Sequence, residues 1–140
     1  MRYDPQNIDR LHKHSKGKCK MNNFLAEDIE RVITTVPDNE TSIELSSVIF
    51  CLGRDAENEE EYDYAFSKLL ELYKRDNETV KAWVIEAFSL LAVLKRDIKK
   101  LDRSIVEPLI RAAYSRSVGS DRALIQDAID DINQSLDWDL

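Results

Sequence analysis

The stretch from Asp76 to Leu94, DNETVKAWVIEAFSLLAVL, constrains the fold more than any other. Val80, Trp83, Val84, Ala87, Phe88, Leu91 and Leu94 recur at the i, i+3, i+4, i+7 spacing of a helix with one face in a core. Ala82, Ile85, Leu90, Ala92 and Val93 lie off that stripe and are apolar as well. A helix apolar on several faces needs neighbours on several sides, so this is expected to be the central helix, with Trp83 and Ile85 in its core. Asp76 and Asn77 supply its start signal, because a short side-chain oxygen accepts an otherwise unpaired N–H of the first turn.

The totals agree with helices. With 140 residues the chain has the size of a single domain, 1–140, and with only 3 Gly and 3 Pro it has few breakers. No run reaches the roughly 18–20 apolar residues of a membrane span, and the N-terminal residues lack an apolar signal core. A cytoplasmic location is therefore expected. Cys19 and Cys51 make no disulfide framework.

Further helices follow from the same signals. Pro5 to about His14 reads as a short helix with Ile8 and Leu11 as anchors, followed by a basic segment to Lys20. Asn22-Asn23 caps a helix from Phe24 to about Val36. Thr41-x-x-Glu44 fits a capping box for a helix ending near Gly53, and Asn58-x-x-Glu61 does so for Glu59 to about Lys74. Ser104-x-x-Glu107 opens a helix to about Arg116, and Gly119-Ser120-Asp121 turns into the last, ending near Leu136.

These helices repeat. At an offset of 41, Lys81-Ala82-Trp83-Val84 falls on Arg122-Ala123-Leu124-Ile125, and Glu86-Ala87-Phe88 falls on Asp127-Ala128-Ile129. At 40, Leu69-Leu70 falls on Leu109-Ile110. Moving back by 39, Val84, Ala87, Phe88 and Leu91 fall on Leu45, Val48, Ile49 and Leu52. Three helix pairs result, at about 24–53, 59–95 and 104–136.

This pattern resembles HEAT repeats, in which helix pairs of about forty residues stack in a row. Ile105-Val106-Glu107-Pro108-Leu109 looks like the proline-bearing first helix of such a unit, and Ser120-Asp121-Arg122-Ala123 with Ala128 like its loop and second helix. Asp76 to Ala82 with Ala87 matches the same pattern, Lys81 being the basic residue. The first pair departs from it, with no basic residue at the equivalent spot. The resemblance implies an all-α fold, a short α-solenoid of about three HEAT-like pairs plus a short N-terminal helix.

Catalytic signatures are absent: there is no glycine-rich phosphate loop, no GxSxG and no HExxH. His12, His14, Cys19 and Cys51 lack the spacing of a metal site. No enzyme, cofactor or metal is expected. Helical-repeat DNA glycosylases share the fold class but need a basic groove. Here residues 1–20 carry +4 of a net −7, leaving −11 on the rest, a charge that repels nucleic acid. Such a body favours a basic protein partner.

Two acidic sets are the candidate contacts: Asp55, Glu57, Glu59, Glu60, Glu61 and Asp63, then Asp127, Asp130 and Asp131. In size, charge and repeat character the chain resembles bacterial immunity proteins, including those guarding against contact-dependent growth inhibition toxins. That resemblance implies one-to-one binding by a monomer of a cognate basic toxin domain, such as a nuclease. A general repeat scaffold or adaptor is the alternative expectation.

Overall fold

A computed structural model describes residues 26–140, and these form six helices joined by short turns, with no strand. They are α1 (Ala26–Thr35), α2 (Ile43–Arg54), α3 (Glu59–Tyr73), α4 (Glu78–Leu94), α5 (Arg103–Arg116) and α6 (Gly119–Leu136). The expected helix at Pro5–His14, the basic segment, the Asn22-Asn23 cap, Phe24, Leu25 and the ligand candidates His12, His14 and Cys19 lie outside the described residues. Among the described helices none is long and apolar enough to cross a membrane.

The helices pair as α1/α2, α3/α4 and α5/α6, and α4 lies at the centre. Val80, Val84, Ala87, Phe88 and Leu91 are buried, and so are Ala82, Ile85, Ser89 and Ala92 around the cylinder. The second helices α2, α4 and α6 pack directly on one another. Glycine makes the α2–α4 approach possible: a Cβ at Gly53 would lie 2.7 Å from the carbonyl oxygen of Ala87 and 2.9 Å from its Cα. Phe88 is fully buried, its ring 5.6 Å from that of Phe66 and tilted 47° to it. Truncating a buried Phe of this kind costs about 3–5 kcal/mol.

First helices meet their neighbours through long side chains instead. Tyr64 Oη donates to Glu30 at 3.0 Å, Lys68 Nζ pairs with Glu30 at 2.5 Å, and Tyr73 Oη donates to the Leu109 carbonyl at 2.8 Å. Nearly every such link joins residues about one repeat apart, as expected of a stack held by nearest-neighbour interfaces. Two pairs also share a device at an offset of 41: Lys81 lies 4.5 Å over Tyr73, and Arg122 lies 4.3 Å over Tyr114. Lys81 Nζ further donates to the Tyr73 carbonyl at 2.5 Å, closing the end of α3.

Several local expectations are corrected. Ser42, not Thr41, caps α2, accepting from Leu45 N at 3.0 Å. Asp102, not Ser104, caps α5, and Glu107 turns to Arg103 and Arg111 instead. Asn58 does cap α3, but the Glu61 carboxylate reaches one residue further back, to Glu57 N at 2.8 Å. Gly53 sits inside the last turn of α2, where its role is close packing, and the helix runs on to Arg54. At α6 the cap position is Val118, without a side-chain bond, because Gly119 at φ +59 turns the chain directly into the helix. Asp121 instead accepts from Thr79 Oγ1 at 2.8 Å, tying α6 to α4. Leu72 of α3 is fully buried.

Candidate protein-binding surface

The second helices α2, α4 and α6 pack closely on one another, whereas the first helices α1, α3 and α5 meet through long side chains. A groove of about 480 Å³ lies between α2 and α4. Ser46, Ser47, Ile49, Phe50, Cys51 and Arg54 of α2 line it, facing Trp83 and Glu86 of α4. Trp83 is half-buried: it packs against the core, as expected, and also lines the groove wall. Ile85, by contrast, is fully buried. Phe50 remains 40 % exposed on the opposite wall, an area a folded monomer gains nothing by presenting to water.

The polar groups in the groove are of two kinds. Arg54 lies 4.9 Å over the Phe50 ring and donates to both carboxylate oxygens of Asp55, one contact being 2.8 Å. This charge-assisted pair raises the Arg54 pKa and leaves that end of the groove neutral. Cys51, buried, has its Sγ 3.7 Å from the same guanidinium. Glu86 differs. Among the described residues no hydrogen-bond donor or cation pairs with its carboxylate. Burial pushes its pKa up, and the neighbouring charge of Asp127 on α6 pushes it further.

The two acidic sets are not brought together: one opens α3, the other lies on α6. Much of the first is consumed inside the fold. Asp55 is 1 % exposed and held by Arg54, and Glu61 is 9 % exposed and caps Glu57 N. Glu59 and Asp63 share Lys99, at 3.6 and 2.7 Å. Only Glu57 and Glu60 stand exposed with no ion pair among the described residues. Asp127, Asp130 and Asp131 are all exposed. Asp130 accepts from Gln126 at 3.0 Å, on the side of α6 whose cavity is shared with Ile110 and Tyr114 of α5. The charge of Asp127 acts instead on Glu86.

Glu86, Trp83 and Phe50 were not legible as surface residues. One signal was available: Glu86 is the single charged residue between Ala82 and Leu94, an isolated acid in an otherwise apolar run. Among the described residues no group of three or more His, Cys, Asp and Glu gathers to hold a metal ion.

No protein-family model, curated protein or solved structure matches this chain. Its fold class is shown by its helices: an all-α, helical-repeat arrangement.

Proposed function

We propose that this chain is a protein-binding module that neutralises a basic partner, using the α2–α4–α6 face as its working surface. One observation carries the reading: the acids of the first-helix row are largely paired with the protein's own cations, while Glu86, which lines the Phe50–Trp83 groove, and Asp127 on α6, whose charge acts on it, are not. Aromatic anchors flanked by uncompensated charge are what a hot-spot interface uses, since a few buried residues dominate affinity and charge speeds the encounter.

Small acidic repeat domains of this kind are in keeping with an immunity protein bound one-to-one to a cognate basic toxin domain in the cytoplasm. Affinity capture from native lysate, followed by identification of the bound protein, tests the reading. One dominant basic partner is expected, with association slowed several-fold between 50 and 500 mM salt on the order set by Debye screening. A spread of partners with no charge preference, and no neutralising effect, would point to a scaffold instead.

A further inference from the structure

We propose that the α2–α4 groove takes an arginine side chain of the partner protein, its guanidinium stacked on Trp83 and paired with Glu86. This deepens the binding reading above and rests on it.

Three independent features converge on this occupant. The first is shape: the groove, about 480 Å³, is within the range of ligand pockets of about 300–1,000 Å³, and its walls carry two aromatic rings. The second is the fold's own chemistry. Among the described residues cations lie over Phe50, Tyr64, Tyr73, Tyr114 and Trp138, at 4.3 to 5.8 Å. No described cation lies over Trp83, although indole is the strongest cation–π acceptor of the set. The third is charge: Glu86 borders the groove half-buried, next to Asp127, with no described cation to offset either.

Arginine satisfies all three at once. Its planar guanidinium stacks on an aromatic face, its weak hydration makes it the easier cation to desolvate, and its forked donors suit a carboxylate. Arg54 on Phe50 already shows one guanidinium seated on an aromatic wall of the same groove, its charge cancelled by Asp55. The incoming guanidinium would occupy the opposite wall, where charge is uncancelled.

The test uses the full-length chain labelled at its two Trp indoles, Trp83 and Trp138, the second serving as an internal control. N-acetyl-arginine methylamide is titrated in, with the citrulline analogue as the neutral isostere. A saturable shift of the Trp83 N–H signal by arginine alone is expected, with Trp138 still and the affinity at least fivefold weaker in Glu86→Gln. An equal response to citrulline, or none to arginine, overturns the proposal. So does a Trp83 response that emerges only when Lys13, Lys16, Lys18 and Lys20 are changed to Gln, because the chain's own basic segment would then be the occupant. The two proposals fail separately. A captured partner that binds Trp83→Ala and Glu86→Gln as tightly as the native chain sinks the arginine site but not the binding function. The absence of any basic partner sinks the function whatever the titration shows.

Discussion

Arg75, in the turn after α3, donates its guanidinium to the main-chain carbonyl of Val36 at 2.5 Å, just past the end of α1. The same group reaches the carbonyls of Pro37, at 3.3 Å, and Ile33. The last carbonyls of a helix have no partner within it, and a cation there also suits the negative end of the dipole. The first pair lacks the basic residue that Lys81 and Arg122 supply in the later two, and Arg75 does that work from the next pair along.

Removing this clamp should therefore loosen the first pair selectively. Arg75→Leu is expected to cost about 2–3 kcal/mol, the range for charged hydrogen bonds and newly orphaned carbonyls. Urea unfolding reads the total, and amide exchange should show α1 losing protection before α5 and α6. Arg75→Lys should recover only part, because an ammonium cannot span three carbonyls. Uniform loss of protection along the stack would contradict the local role.

Gly53 makes a second test. Alanine raises intrinsic helix stability by about 1 kcal/mol over glycine. Here its Cβ would meet the Ala87 oxygen and Cα, backbone atoms that cannot rotate aside, so α2 and α4 must separate. Overpacking costs about 1–3 kcal/mol, so Gly53→Ala should be net destabilising by thermal melting. Ala87→Gly should rescue it only in part, since the 2.7 Å approach is to the carbonyl oxygen. A Gly53→Ala protein that melts higher than native would show that the helices have room.

Glu86 predicts a pH signature. Its folded pKa is raised by burial and by Asp127, so the native state holds its proton more tightly than the unfolded chain. The stability contribution of that proton is full below the unfolded carboxylate range and is lost as pH rises through the folded pKa. Glu86→Gln should then melt higher than native at pH 7, with the difference vanishing toward pH 4, just below the ordinary value of 4.5. Asp127→Asn should shift the crossover to lower pH. A difference that stays constant across that range would mean the carboxylate is not destabilised in the fold.

The C-terminal residues carry a fourth. Arg103 pairs with Glu107 at 2.6 Å and with Asp139, and it lies 5.2 Å from the Trp138 ring. Both carboxyls are held below their usual range, first by hydrogen bonds to Arg103. Their contribution is present above the unfolded pKa and is lost only as pH falls through the lowered folded values. Trp138 emission should thus stay blue-shifted until pH drops below the ordinary carboxylate range, and Arg103→Ala should shift it red at pH 7. An unchanged spectrum in that variant would place Trp138 under other control.

For partner association, the placement of the acids changes which substitutions are informative. Glu61→Lys would break the Glu57 N–H contact and confuse folding with binding. Glu60→Lys and Asp127→Lys are both exposed replacements. Asp127→Lys should slow association several-fold at low salt and Glu60→Lys much less; the reverse order would return the α3 acids to the interface.

Among the described residues, periodicity by itself determined that the chain is helical, where its helices lie to within a residue or two, that Asp76–Leu94 is central, and that the pairs recur at about forty residues. These follow from backbone geometry, because a 3.6-residue period and the need to cover apolar area are written locally. Cap identity was legible only in part: Asn58 and Asn77 hold their helices, but neighbouring hydroxyls and carboxylates compete, and Ser42 and Asp102 win by a residue or two. Tertiary structure alone decided which apolar residues of α4 meet solvent and which acids are spent. Trp83 shares its stripe with Val84 and Phe88 yet ends half-buried at the groove wall, while those two are fully buried. Asp55, Glu59, Glu61 and Asp63 look like a free acidic patch in one dimension; in three, Arg54, the Glu57 amide and Lys99 occupy them. Charge is additive along a sequence, but whether it is compensated depends on contacts that only the fold sets, from the adjacent Arg54 to the distant Lys99.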